Sequence, residues 1–440
     1  MKLSKIEPTP VWTYFDEIRK IPRCSGNEEK IGEFLLNIAE KHDLKAERDE
    51  VRNVVIHKPA SPGYTDQPPL IIQGHMDMVC EKNANVEHDF SKDPIPIKRE
   101  GDWLTAKGTT LGADNGIGVA LALALATEKE VKGRSLELLF TVDEERGLTG
   151  ASQLKKDFVR GSALINLDSE EFGTIIIGCA GGGTSKLSLP LSSEDMRGGK
   201  IVELSVSGLK GGHSGLDIDK GRANAIKVLA GLMKKISQRT DIWICNIQGG
   251  DKHNAIPREA SATFVIHKDA EIREVIKHQR TKLLENYKTE KSMNVEIHRS
   301  SRRPKAMFTE QSTRKVTNLL QKLPHGVIAW SEEIDDLVET STNLATISLH
   351  ESTLKVVMSS RSSVNAALEA IQAKIRSIGE RFGAKIREEE PYPPWKPVPD
   401  SHLLQIAKET YKKLFGEAPK VEAIHAGLET GIIGEKFGNM

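Results

Sequence analysis

An α/β fold carrying an inserted α+β domain is predicted by three features of the sequence. Short apolar runs alternate with helix-like stretches up to about residue 180, the texture changes at GCAGGGTSK, and a proline-dense charged run near residue 390 leads into one more helical stretch. A length of 440 residues fits two or three domains on a prior of about 150 residues each.

Residues 11–41 carry helical patterning, broken by the turn IPRCSGNEE, in which Ser25 and Glu28 fit an S/T-x-x-E capping box. Apolar runs at Pro69–Ile72, Leu136–Val142 and Ala163–Leu167 are short and bounded by turns, as buried strands are. Between the first two lies GIGVALALALATEKE, long enough for a helix and apolar on most of its surface, so it packs against the sheet. The glycines of GCAGGGTSK read as a flexible exit from the first domain or a tight strand crossing. A phosphate loop is the weaker reading, because Thr184 and Ser185 precede Lys186 instead of following it. The second block holds strand-like VELSVSG, helix-like RANAIKVLAGLMKKI, strand-like ASATFVIH and TNLATISLHESTLKVVMSSR, and a helical stretch from Ser363. The run REEEPYPPWKPVPD is a return linker that no central strand or helix tolerates, and HLLQIAKETYKKLFG is helical again. The domains are therefore expected at 1–184, 185–392 and 393–440, the last returning to the first.

Composition narrows the function. Hydrophobic content of 38% and charged content of 28% are those of an ordinary globular chain. Lys plus Arg and Asp plus Glu number 62 each, so no overall field draws the chain to nucleic acid or an anionic membrane. The N-terminus lacks the apolar core of a secretory signal, and no segment is long and apolar enough to span a bilayer, so a cytoplasmic protein is expected. Cys24, Cys80, Cys179 and Cys245 are widely separated with no CxxC pair, which argues against a zinc ribbon and favours reduced, mostly buried thiols.

Four segments place chemistry at a strand end or helix start: His75 and Asp77 in IIQGHMDMV, Asp114 in TLGADNGIG, Glu144 and Glu145 in LLFTVDEERG, and Asp168 in LINLDSEE. In α/β sheets functional groups gather beyond the carboxyl ends of strands, so these can converge on one edge. One histidine with several carboxylates suits Zn²⁺, Mn²⁺ or Co²⁺, and a carboxylate can bridge two ions about 3.5–4 Å apart. His75 and Asp77 share a face of an extended segment, so Asp77 can accept the imidazole N–H opposite the metal. Glu144 and Glu145 diverge in extended backbone, one free to bind metal and the other to act as a base. Singly each signal is weak: a lone histidine is more often structural, acidic runs are usually solvated, and Asp114 or Asp168 could be a cap. Their joint occurrence makes the case. An HExxH protease is excluded, since His350–Glu351 lacks the second histidine.

The phrases GHMDMVCEKN, GTTLGADNGIG, TVDEERGLTGA and NLDSEE, in this order, resemble those of the co-catalytic zinc peptidases that include carboxypeptidase G, aminoacylase and peptidase T, and most of all the branch that cuts Xaa-His dipeptides. The resemblance covers the whole chain. It implies a zinc-peptidase-type catalytic domain, with a mixed sheet flanked by helices, and an inserted lid and dimerisation domain. It also implies two divalent ions per subunit, zinc before manganese or cobalt, and short, carnosine-like peptide substrates with a C-terminal histidine. Asp114 becomes the bridging ligand, His75 and Asp168 hold one ion, Glu145 the other, Asp77 orients His75, and Glu144 is the general base and acid. A cis peptide is implied at Asp114–Asn115. His213 in GLKGGHSG becomes a lid histidine reaching a partner's site in a homodimer, while Asn254, Arg361 and Gly427 grip substrate, Arg361 through its planar fork. The plainer reading of Arg361 is a surface salt bridge.

One departure stands out: the family completes its second metal site with a C-terminal histidine, and no histidine follows His425 in this chain, which stops at Met440. Truncation or an incomplete site is the expectation. The alternatives are another branch of the superfamily, a tripeptidase or N-acyl amino-acid hydrolase, and a catalytically inactive dimeric binding protein, which the presence of Glu144 disfavours.

Overall fold

The structure, a computed structural model, describes all residues except 1–2, 197, 268–269, 301–303, 333, 335 and 439–440. Among the described residues no histidine follows His425, so the C-terminal ligand implied by the resemblance is not one of them. The chain forms two compact units: one of residues 1–177, 398–422 and 428–440, the other of 178–397 and 423–427.

In the first unit α1 (Thr9–Ile18) and α2 (Glu29–Lys41) precede a mixed sheet of β1 (Lys45–Arg48), β2 (Val54–Lys58), β3 (Leu70–His75), β4 (Leu136–Thr141) and β5 (Ala163–Asn166). The strand order is β1-β2-β4-β3-β5. β3 runs parallel to both β4 and β5, whereas β2 pairs with β4 and β1 with β2 in antiparallel fashion. β3 and β4 are almost wholly buried, which is why their sequences are continuous apolar runs. α3 (Ala113–Thr127) crosses between β3 and β4 and packs Val119, Leu123 and Ala126 into the same core as Phe15, Leu138 and Phe140. Each such large side chain contributes about 1.5–3 kcal/mol on full burial. After the second unit the chain returns as α8 (His402–Phe415) and α9 (Glu429–Phe437), numbered after the elements below.

The second unit is built on a long antiparallel sheet. Its strands are β6 (Gly181–Pro190), β7 (Lys200–Ser207), β8 (Ile242–Gly249), β9 (Ala260–Ile266), β10 (Asn294–Arg299), β11 (Gly326–Trp330), β12 (Val338–His350), β13 (Thr353–Ser362) and β14 (Lys385–Glu388). They run in the order β10-β7-β9-β8-β12-β13-β6-β14, with β11 added on β12. β7 alternates buried and partly exposed residues, the signature of a sheet with one face on a core. That core is closed by α5 (Ala225–Ser237), α6 (Glu310–Lys322) and α7 (Asn365–Arg381), around Leu229, Phe264, Leu320, Leu344 and Ile375. Asn224 caps α5, its Oδ1 accepting the N–H groups of Ile226 at 3.0 Å and Lys227 at 3.1 Å.

Three local expectations are corrected. The capping box does not form: α2 starts at Glu29 with no side-chain cap, Ser25 lies near Asp77 and helps lower its pKa, and Glu28 Oε1 accepts from Gly26 N–H at 2.7 Å and Asp143 N–H at 3.1 Å. The tertiary partner outcompetes the local one. The chain leaves the first unit at this segment, as read, after Ile177, but the triple glycine is strand instead of a flexible stretch, since Gly181–Gly183 pair in register with β13. A side chain there has no room: a Cβ on Gly181 would lie 2.7 Å from the Tyr392 carbonyl oxygen, and one on Gly183 2.6 Å from Gln372 Nε2. Finally, the reading of all four cysteines as reduced thiols fails for two, because Cys24 and Cys80 form a disulfide across 56 positions, while Cys179 and Cys245 are in no disulfide. Spacing along the chain hid a pair that the α1–α2 turn and the segment after β3 bring together.

Candidate metal centre

The parallel strands end side by side, and the chemistry sits on their ends. His75 closes β3, Asp168 lies two residues past β5, and Val142–Asp143 lead from β4 into the one-turn helix α4 (Glu144–Gly147), which follows α3 and precedes the later helices named above by range. Asp143 adopts φ 53°, a left-handed turn that Asp tolerates better than most residues. Glu144 and Glu145 are therefore in a helical start, not extended; about 100° per residue still separates their side chains. Asp114 and Asn115 have non-helical backbone at the head of α3, and the bond between them is cis, as the resemblance implied.

His75 is the hub. Its Nε2 lies 2.8 Å from Asp114 Oδ1 and 3.5 Å from Asp168 Oδ1, and its Nδ1 lies 3.1 Å from Asp77 Oδ1. Asp77 also accepts the backbone N–H of Glu144 at 3.0 Å and of Glu145 at 3.3 Å, so one fully buried carboxylate fixes both the ring and the acidic turn. Asn115 holds the remaining edge: its Oδ1 accepts the His75 N–H at 3.3 Å, and its Nδ2 donates to Leu167 O at 2.7 Å and Asp168 Oδ1 at 3.0 Å. That amide occupies space two glycines leave, for a Cβ would fall 2.2 Å from Asn115 Oδ1 at Gly74 and 2.5 Å at Gly118.

Burial works against charge on His75, but the surrounding carboxylates of Asp114, Asp168 and Asp77 outweigh it and push its pKa up. The hydrogen bond to His75 lowers Asp114, whereas burial raises Asp168. Burial, with Glu429, Asp168 and Glu145 adding repulsion, pushes Glu144 up to about 9; burial and Asp114 raise Glu145. So many carboxyl groups around one imidazole repel one another unless a cation joins them. Ligand atoms of His75, Asp114 and Asp168 lie within 4.8 Å of one another, and so do those of His75, Glu144 and Glu145. The donors are nitrogen and oxygen only, a set that fits zinc, manganese or cobalt.

Two residues of this centre escaped the sequence reading. Arg23 is buried and spans three loops, donating to Met76 O at 3.0 Å, Asp77 O at 2.6 Å and Gly112 O. Burial lowers its pKa to about 10, and Cβ atoms on Gly112 or Gly116 would come within 2.6 and 2.7 Å of its Nη2, so the glycines of TLGADNGIG are the visible trace of it. Glu429, at the start of α9, accepts from Gln73 Nε2 at 2.6 Å and Thr141 Oγ1 at 2.7 Å. Its other oxygen has no partner, and burial pushes the carboxyl up to about 7.

The second unit carries its own polar cluster. His213 Nδ1 accepts the N–H groups of Gly215 at 3.3 Å and Leu216 at 3.1 Å, and its Nε2 lies 3.5 Å from Arg361 Nη2. Arg361 is buried, so the surface salt-bridge reading does not hold. Burial and then Arg361 lower His213 to about 4, which leaves a neutral ring at pH 7. His425 is paired with Ser341 Oγ at 2.7 Å and is likewise lowered, to about 3. Asn254 is exposed and accepts Ser214 N–H at 2.8 Å through its backbone carbonyl. Gly427 abuts the ring of Tyr392.

A cluster of carboxylates around the buried His75, at the ends of parallel strands, is a candidate metal site: residues 53–192 match the profile of peptidase family M28, and residues 204–291 that of the peptidase dimerisation domain. A curated relative, the cytosol non-specific dipeptidase of Escherichia coli, is 36% identical over 100% of this chain and 91% of its own. A crystal structure of aminoacylhistidine dipeptidase from Vibrio alginolyticus, 35% identical, superposes with a TM-score of 0.85 over 100% of this chain and 90% of that one. The chain belongs to the aminoacyl-histidine dipeptidase family and is a metallodipeptidase. An aminopeptidase PepT structure from Bacillus cereus, 16% identical with a TM-score of 0.55 over 99% of this chain and 89% of that one, shares the fold. Among the described residues no helix is long and apolar enough to cross a membrane.

Proposed function

We propose that the chain hydrolyses dipeptides whose second residue is histidine, with two divalent ions, zinc before manganese or cobalt, held by His75, Asp114, Glu145 and Asp168. The observation that carries this is the convergence of these side chains, with Glu144, around the buried His75. Asp114 would be shared by the two ions, His75 and Asp168 would hold one and Glu145 the other, and Asp77 orients His75 through Nδ1. Divalent ions there would polarise the scissile carbonyl and acidify a water. Glu144 takes the proton of the attacking water and returns it to the leaving amine.

The name of the Vibrio relative supports histidine as second residue, while that of the Escherichia relative points to a wider range, so a panel of dipeptides belongs with any assay. The latter name also supports a cytoplasmic location. The matched dimerisation domain supports a homodimer in which His213 and Asn254 address a scissile carbonyl across the interface, with Gly427 beside the substrate. Sedimentation at micromolar concentration is expected to give a dimer's mass; a fully active monomer refutes this arrangement.

Arg361 takes the substrate's terminal carboxylate in this reading. An Xaa-His dipeptide is then expected to exceed its C-terminal amide in kcat/KM by about tenfold to a hundredfold, the worth of a charge-assisted contact. Equal rates on acid and amide would sink the assignment, and a preference for N-acyl amino acids would move the chain to another branch.

A further inference from the structure

We propose that Tyr392 is a specificity-determining residue whose hydroxyl donates to the substrate's C-terminal carboxylate beside Arg361; this rests on the reading of Arg361 given above. Arg361 Nη1 donates to Tyr392 Oη at 2.8 Å. A guanidinium accepts nothing, so the phenol accepts there and its single hydrogen remains for another acceptor. Among the described residues none takes it.

The same acceptor is missing from two nitrogens of Arg361. Because His213 Nδ1 accepts two backbone N–H groups, the neutral ring carries its hydrogen on Nε2, which faces Arg361 Nη2 at 3.5 Å. Two donors at that distance do not satisfy each other, so Arg361 Nη2 is left for an anionic oxygen. Among the described residues Arg361 Nε is buried with no hydrogen-bond partner. A planar carboxylate, with two oxygens and room for about four hydrogen bonds, matches this set of donors.

The placing of Tyr392 is built into the unit. Its N–H and C=O pair with the C=O and N–H of Gly182, at 3.0 Å each. A Cβ on Gly182 would lie 2.3 Å from its Oη, and a Cβ on Gly427 2.5 Å from its Cε2, so glycines from two distant segments clear the slot for this ring. Burial raises the phenol's pKa, so it keeps its hydrogen at neutral pH.

The test compares Tyr392→Phe, Arg361→Lys and the unaltered enzyme on an Xaa-His dipeptide and its amide, together with calorimetric binding of L-histidine and L-histidinamide. Tyr392→Phe is expected to raise KM for the acid about tenfold, with kcat and the amide's KM within about twofold, and to weaken L-histidine alone. Gly427→Ala, which displaces the ring but keeps the hydroxyl, is expected to raise the acid's KM as well. Equal effects of Tyr392→Phe on acid and amide, or none on either, overturn the proposal. If Arg361→Lys abolishes the preference for the acid while Tyr392→Phe preserves it, Tyr392 alone is misassigned. If Arg361→Lys leaves that preference intact, the reading of Arg361 fails and takes the proposal with it.

Discussion

Glu144→Ala is expected to lose about 10²–10⁴-fold in kcat, the range for removing a positioned general base, while keeping its metal. Nothing in the fold depends on its carboxylate in the way it depends on Asp77, which fixes His75 and two backbone N–H groups. Metal content measured on the purified variant beside its turnover is the check. The two outcomes separate cleanly, because Glu144 and Glu145 both come within ligand reach of His75. Parallel loss of metal and activity means that Glu144 is the ligand and Glu145 the base.

Asp114→Ala should cost both ions and at least as much activity. Asp114 sits 2.8 Å from His75 Nε2, and in the reading above it is shared by the two ions. A metal that binds only the folded enzyme adds about 2.7 kcal/mol at a hundredfold excess over its Kd. Zinc titrated into the unaltered protein should therefore raise its unfolding temperature, and the same titration on Asp114→Ala should not. Asp114→Asn, which keeps the shape, guards against a simple folding defect. Two ions bound at unaltered affinity by either variant would rule out a bridging Asp114.

What the sequence disclosed of this centre follows from how its residues act. His75, Asp114, Glu145 and Asp168 stand next to apolar runs that declare themselves as strands and a helix, so position and chemistry are read together. Arg23 and Glu429 work through contacts 53 and 356 positions away, and no local pattern marks such a partner. Tyr392 was hidden for a different reason: prolines around it mark a linker, and a linker gives no face on which to place a ring. Ser25 misled because the hydroxyl that completes a helix cap on paper has Asp77 closer to hand. The triple glycine misled in the same way, its meaning set by the Tyr392 backbone and the Gln372 side chain it has to admit. Arg361 could be named only by resemblance, since burial is what distinguishes it from a surface cation.

The amide of Asn115 also constrains how this sequence can descend. Gly74 and Gly118 are each too close to that side chain to accept a methyl group, while Asn115 cannot shrink without stripping partners from the His75 N–H and the Leu167 carbonyl. Replacing any one of the three alone is expected to disturb the site. Lineages should therefore carry all three residues together or have exchanged them together, and an isolated alanine at 74 should be rare among active relatives.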